Sequence, residues 1–264
     1  MVKVTDQDYY LDGIHQKNLD IAKKEIKNDW DMIFAYDGSE GSGKSVKAMQ
    51  DAYYCDPTLN LDRICFSPQE FKKAILAAKP FQSVVYDEAY TGLNSRATMS
   101  LINRALITML AEIRQRNLFV FVVMPCFFDL DKYVALWRSR ALIHIYTENG
   151  FQRGYFKFYN ASKKKDLYIN GKKFYNYSFP EANFSGRFTN YYVLDQIAYK
   201  KKKRDALIDR ESKLADQQLR QQIEDELFKR LMELKTEIPH RLKMEILSIP
   251  ESTYFYKLKK YEES

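Results

Sequence analysis

Gly38-Ser39-Glu40-Gly41-Ser42-Gly43-Lys44-Ser45 follows the apolar run Met32-Ile33-Phe34-Ala35-Tyr36 and leads into Val46-Lys47-Ala48-Met49-Gln50-Asp51-Ala52-Tyr53-Tyr54, which holds neither Gly nor Pro. The octet fits G-x-x-x-x-G-K-[ST], a phosphate-binding loop set between a strand and a helix. Its glycines let the backbone curl so that successive N–H groups point at phosphate oxygens, and the helix N-terminus adds its dipole. Residues Gly38 through Val46 are therefore the expected nucleotide-binding segment. Lys44 would reach the β- and γ-phosphates and the Ser45 hydroxyl would hold Mg²⁺. The alternative is a glycine-rich turn that binds no nucleotide.

Ser83-Val84-Val85-Tyr86-Asp87-Glu88 is a short β-branched run ending in two acids, the pattern of a buried parallel strand. Asp87 at its carboxyl end would complete the Mg²⁺ site, and Glu88 would orient or polarise an attacking water. ATP and Mg²⁺ are the cofactors this pair of motifs implies. An Asp-Glu after a strand can also be no more than the start of a solvated loop.

With 264 residues, 45% hydrophobic and 29% charged, the chain can bury one good core plus an appendage. Cys55, Cys65 and Cys126 have neither metal nor redox spacing, so the expectation is reduced thiols in a cytoplasm. The first residues do not read as a signal peptide. The longest apolar stretch, Leu118 to Phe128, is interrupted by Pro125 and falls short of the ~20 residues of a spanning helix, so no membrane span is expected. The net charge of +7 is uneven: residues 151–204 hold thirteen Lys/Arg against three Asp/Glu. Such a concentration points to a polyanion partner, or to a solvated basic face without one.

Periodicity orders the elements. A helical lead-in carries Leu19, Ala22 and Ile26 on one face. Strands are expected at Met32–Tyr36, Leu61–Phe66, Val84–Tyr86, Leu118–Met124 (the most apolar, hence central) and Ala141–Tyr146. Between them lie the helix after the loop, one opened by the capping box Ser67-Pro68-Gln69-Glu70, an amphipathic helix over Met99–Arg116, and a short helix over Asp129–Arg138. Phe151–Tyr159 alternates with period two, and Asn170-Gly171 within Leu167–Tyr175 predicts a β-hairpin. Lys200-Lys201-Lys202-Lys203-Arg204 opens a helical stretch to about Thr236. The fold class is α/β: a parallel central sheet with right-handed crossovers, a β-hairpin extension and a C-terminal helical module. The expected division is 1–195 for the nucleotide domain, with its basic β extension from about 150, then 196–235 as a linker helix and 236–264 as the terminal module.

Two resemblances sharpen this. Residues 30–148 resemble the HerA/FtsK-type branch of ring-forming DNA motors and, more loosely, zonula-occludens-toxin-like phage ATPases, within the additional-strand, catalytic-glutamate class of P-loop ATPases. The matching text is Gly38–Ser45, Val84-Val85-Tyr86-Asp87-Glu88-Ala89, Ala111-Glu112-Ile113-Arg114-Gln115-Arg116-Asn117 and Phe128-Asp129-Leu130-Asp131-Lys132-Tyr133. The resemblance implies ATP hydrolysis in a homo-oligomer, with an arginine acting on a neighbour's γ-phosphate. Arg114 or Arg116 holds that place, with Arg96 and Arg104 as weaker candidates. The polar phosphate sensor of such motors is replaced by Met124-Pro125-Cys126, so either Asp129 takes its part or sensing is weak. The segment Arg241–Tyr261 resembles the helix-turn-helix of resolvases and small regulators, with Ser248 where Gly is usual and Lys243 where an apolar residue is usual. That implies DNA contacts from Ser252, Thr253, Tyr256 and Lys257, with Lys259 and Lys260 near phosphate. A helical hairpin used for packing or partner binding is the other reading.

The expectation is thus a cytoplasmic ATPase working on double-stranded DNA in translocation, packaging or transfer. An ATP-switched DNA-binding regulator or transposition helper uses the same residues. A small-molecule kinase is disfavoured by Glu88 and the basic segment.

Overall fold

The computed structural model describes residues 3–4, 7–87, 95–233 and 238–262, and the chain divides into two compact units, Met1–Ala206 and Leu207–Ser264. The first unit opens with two short antiparallel strands, β1 (Lys3–Val4) and β2 (Gln7–Asp8), and helix α1 (Gly13–Glu25). The Asp12 carboxylate caps α1, accepting from the Ile14 and His15 N–H groups at 3.0 Å, as short polar side chains do at helix starts.

Strands and helices then alternate: β3 (Met32–Gly38), α2 (Lys44–Cys55), β4 (Ile64–Cys65), α3 (Pro68–Ala77), β5 (Ser83–Asp87), α4 (Ser95–Gln115), β6 (Phe119–Val123) and β7 (Ser139–Glu148). At α3 the Ser67 hydroxyl accepts from Glu70 N–H at 3.2 Å while Glu70 accepts from Phe66 N–H at 2.7 Å. The helix therefore begins where the capping residues require. After β7 come β8 (Gln152–Tyr159), α5 (Ala161–Gly171), β9 (Phe184–Arg187) and the long helix α6 (Gln196–Glu233).

The sheet runs β4-β5-β6-β3-β7-β8-β9. The strands from β4 to β7 are parallel, and β8 and β9 extend the sheet antiparallel. One strand, β6, separates β3 from β5, in register Tyr36↔Val123 and Asp87↔Val123. The two motif-bearing strands are thus about 10 Å apart by ordinary strand spacing.

Successive residues of each strand enter different cores. Ile33, Ala35, Val84, Tyr86, Val120 and Val122 join α3, α4 and α5 through Phe71, Leu106, Ile113, Leu167 and Tyr168. Phe34, Tyr36, Val85, Phe119, Phe121 and Val123 join α1 and α2 through Leu19, Ala22, Ala48, Met49 and Ala52. A strand covered on both faces is apolar throughout, which is why β3, β5 and β6 read as uninterrupted runs.

Several expectations need correction. Leu167–Tyr175 is not a hairpin: α5 runs through Asn170 and ends at Gly171. Asn160 caps it, accepting from Lys163 N–H at 3.0 Å, and Lys164, Leu167, Tyr168 and Gly171 share its buried face. Those positions follow helical spacing, and the Asn-Gly pair marks a helix end rather than a two-residue turn. The antiparallel extension is formed instead by β7, β8 and β9. The strand expected at Leu61–Phe66 shrinks to Ile64–Cys65, preceded by a 3₁₀ turn over Leu61–Arg63. The short helix expected over Asp129–Arg138 divides into a 3₁₀ turn, Phe127–Asp129, and a π-helical turn, Val134–Arg138. The strand Phe119–Val123 is internal, but β3 holds the middle place.

The second unit comprises the later turns of α6 with α7 (His240–Leu247) and α8 (Glu251–Glu262). Among its described residues Phe228, Leu231 and Tyr254 are buried, and Tyr254 pairs with His240 Nδ1 at 2.7 Å. Ser248 closes α7 in the left-handed region (φ 52°), where glycine is the usual occupant.

Candidate nucleotide site

The phosphate-loop segment joins the C-terminal end of β3 to α2, the position that parallel α/β sheets reserve for ligands. Gly38 has φ 137°, and a Cβ there would overlap the Ile145 carbonyl oxygen of neighbouring β7. Gly43 has φ 103° and serves as N-cap of α2, with the Phe188 ring 3.1 Å from where a Cβ would stand. Both positions therefore demand glycine for space as well as conformation. Lys44 donates to the carbonyls of Gly38 at 2.6 Å and Ser39 at 2.8 Å, folding along its own loop. Burial lowers its pKa, opposed by the nearby carboxylates of Asp37, Asp87 and Glu40.

Asp87 ends β5 at the same sheet edge and is 2% exposed. The two motifs meet around one cation, the Lys203 ammonium from the start of α6. It stands 3.1 Å from Asp87 Oδ2 and 3.5 Å from Ser45 Oγ. Tyr199, one turn earlier, donates to Asp87 Oδ2 at 2.6 Å. Burial and the Asp87 charge push the Tyr199 phenol far up, so it remains a donor. A hydroxyl and a carboxylate already arranged about a positive charge fit Mg²⁺, whose ligands are hard oxygens. Glu88 lies outside the described residues, as does Ala89.

Asp37 is a second acid at this edge, just before the loop and fully buried. It accepts from Phe127 N–H at 3.0 Å and from the Tyr177 hydroxyl, and pairs with His144 Nδ1 at 2.9 Å. The Tyr177 and His144 rings stack with centroids 4.1 Å apart. This network fills the region beyond β6 where Met124-Pro125-Cys126 offers no polar sensor. Asp129 is engaged elsewhere, accepting from the Tyr175 hydroxyl at 3.0 Å. On β8, an Arg153 guanidinium nitrogen lies 3.5 Å from where a Cβ on Gly41 would be, bringing an arginine to the loop from the same chain.

Beneath the loop, α2 is tied to α1 by charge. Asp51 bonds Lys47 Nζ at 2.6 Å, His15 Nε2 at 2.8 Å and the Tyr36 hydroxyl at 2.8 Å, and all four side chains are buried. Burial would raise the Asp51 pKa, but His15 and Lys47 outweigh it and hold the carboxyl at about 2. Desolvation lowers the His15 pKa, opposed by the Asp51 carboxylate that its Nε2 shares with Lys47.

Arg114 and Arg116 lie apart from this site. Helix α4 carries the chain from the carboxyl end of β5 to the start of β6, so its last turn sits at the opposite sheet edge. Arg114 forms a two-point pair with Asp29 at 2.9 and 3.0 Å, and Arg116 donates to the Ala78 carbonyl at 3.3 Å and pairs with Glu112 at 3.5 Å. Arg104 bonds Ser100 on its own helix at 3.3 Å. Arg96 falls within α4. In the second unit, Ser252, Tyr256 and Lys260 are exposed and Thr253 is half-buried. Lys257 turns inward to Glu224 at 2.8 Å and to Asp225.

Asp37, His144, Tyr177, Arg153, Tyr199 and Lys203 escaped the sequence reading. Asp37 adjoins Gly38 and could have been noticed. Lys203 is hidden in a basic run, and the others come from strands, a loop and a helix remote in sequence.

The mixed α/β architecture, with seven mostly parallel strands, is consistent with a P-loop NTPase-like fold. Among solved structures it is similar to the N-terminal domain of zonular occludens toxin from Neisseria meningitidis. That likeness has 16% identity and a TM-score of 0.35, over 65% of this chain and 98% of that domain. At that level the likeness decides nothing about the site. No family model and no curated protein matches the sequence. No described helix is long and apolar enough to cross a membrane.

Proposed function

We propose that this chain is an ATP-hydrolysing protein of the additional-strand, catalytic-glutamate class that works on double-stranded DNA as a homo-oligomer, in translocation, packaging or transfer. One observation carries the nucleotide reading: Ser45, in the first turn of the helix that follows β3, and Asp87, at the end of β5, reach the same cation at the carboxyl edge of the sheet. The placing of β6 between β3 and β5 supports the class. In this reading the loop N–H groups and Lys44 hold the phosphates, while Ser45 and Asp87 hold Mg²⁺, which neutralises charge on the phosphate oxygens. Glu88 orients the water. DNA as partner rests on the thirteen Lys/Arg of residues 151–204 and on the terminal helices, where Ser252, Thr253, Tyr256 and Lys260 face the groove and Lys257 must first leave its acidic partners.

Positive charge at the γ-phosphate comes from Arg114 or Arg116 of a neighbouring copy, or from Arg153 within the chain. Comparing turnover of Arg114→Ala, Arg116→Ala and Arg153→Ala separates these, since only a trans residue is rescued by mixing with Lys44→Ala subunits.

The test of function is ATP turnover with and without duplex DNA across salt. Stimulation that fades as salt rises is expected, because phosphate contacts release counterions. Turnover indifferent to DNA at every salt would remove the DNA part of the proposal. Lys44→Ala should abolish turnover. Glu88→Gln should still bind ATP while hydrolysis drops roughly 10²–10⁴-fold, the usual weight of acid–base help. The rival switch reading predicts stoichiometric ATP-dependent DNA binding without strand displacement in a triplex assay.

A further inference from the structure

The basic run at the start of α6 does not simply face solvent. Lys202 donates to the carbonyls of Leu61 at 2.8 Å and Ile64 at 2.7 Å, fastening this part of the helix to the segment around β4. Lys203 turns toward the phosphate loop, 3.1 Å from Asp87 Oδ2 and 3.5 Å from both Ser45 Oγ and the Tyr199 hydroxyl. Tyr199 is itself 3% exposed and packs against Phe66 and Tyr192, with ring centroids 5.7 and 5.8 Å away. Helix α6, whose Lys203 lies 158 residues beyond Ser45, thus delivers a positive charge and a donor to the two groups read above as the Mg²⁺ ligands.

We propose that Lys203 is an internal competitor for that metal position, so that Mg²⁺ with its nucleotide and the Lys203 ammonium hold Ser45 and Asp87 in turn. The proposal rests on the nucleotide reading and adds a control to it. Mg²⁺ needs oxygen ligands at about 2.0–2.1 Å in a near-octahedral shell. An ammonium within hydrogen-bond range of Asp87 and 3.5 Å from Ser45 fills the space that shell requires. Two cations cannot share it. Lysine suits the part because its compact charge rides on a flexible four-carbon stem and can swing aside without moving the helix axis. Tyr199 then keeps its bond to Asp87 or yields it, depending on how many carboxylate oxygens the metal takes. Loading the site therefore changes the contacts of the first turns of α6, and losing the metal restores them.

The test uses the full chain and a fluorescent ATP analogue, titrated with Mg²⁺ at fixed nucleotide. Lys203→Met should reach half-saturation at a Mg²⁺ concentration about tenfold or more below wild type, the usual weight of one charged hydrogen bond. Tyr199→Phe, which keeps the ring, should shift it the same way by less. Amide exchange across residues 195–204 of the wild type should rise on adding Mg²⁺ and nucleotide together and stay unchanged with nucleotide and a chelator. An unaltered or weakened Mg²⁺ response in Lys203→Met, with nucleotide binding still lost in Lys44→Ala, overturns the competition and leaves the nucleotide reading standing. Binding that ignores Lys44→Ala overturns both.

Discussion

Asp51 is the residue on which the loop helix depends most. It is fully buried, and removing its charge leaves Lys47 in the core with no carboxylate. Asp51→Ala should therefore cost about 3–5 kcal/mol in urea unfolding. The double change Asp51→Leu with Lys47→Met should cost clearly less than the sum of the single changes, because it removes the orphaned charge as well as the pair. Gly38→Ala is a different kind of test, since it combines a backbone angle rarely taken by other residues with overlap on Ile145. Strain and overpacking together predict a loss of about 3 kcal/mol or more, read as a lowered denaturant midpoint. The strand, loop and helix around Gly38–Ser45 and the strand ending in Asp87 were legible because local patterns fix them. Lys203 and Tyr199 were not, because no local pattern says which lysine of a basic run turns inward.

At the scale of elements, α5 carries its own titration. Lys164 is buried and donates to the carbonyls of Ala135 at 2.6 Å and Leu136 at 3.2 Å, in the π-helical turn. Burial, with Lys165 and Arg140 nearby, lowers its pKa to about 7, whereas an unfolded lysine titrates near 10.4. Between those values the unfolded chain holds a proton that the folded chain has released. Lys164 therefore makes unfolding harder as pH rises through that window, by up to roughly 1.4 kcal/mol per unit, and adds no slope below it. Urea midpoints at pH 7 and 9.5 should diverge more in wild type than in Lys164→Met; equal divergence would refute the assignment. This helix also shows where sequence reading failed. Asn170-Gly171 is a strong turn signal, but Lys164, Leu167, Tyr168 and Gly171 repeat at helical spacing, and burial of that face against Phe127 and Phe128 prevailed. The strands that read plainly were those covered on both sides, since continuous apolar runs admit few alternatives.

For the whole molecule, the two units make separable predictions. A chain ending at Ala206 keeps α1, α2, the sheet and the first turns of α6, and should still bind nucleotide in a Lys44-dependent way. On the DNA reading proposed above, its affinity for duplex should retain a steep salt dependence from residues 151–204 while sequence selectivity falls; undiminished selectivity would count against a recognition role for α7 and α8. The order of elements through β7 was largely readable from alternating apolar runs and caps. Of the antiparallel additions, β8 was readable from the period-two alternation of Phe151–Tyr159, whereas β9 was not, since it is only four residues long and contains Gly186.

The two outermost strands, β4 and β9, span only two and four residues, and Leu11 bridges Phe188 just past β9. Neither offers the long, unpaired backbone row on which a foreign strand could be laid down. Among the described residues, the homo-oligomer proposed above would therefore form through side chains on helices and loops, and its copies could part again without tearing a shared ladder of main-chain bonds.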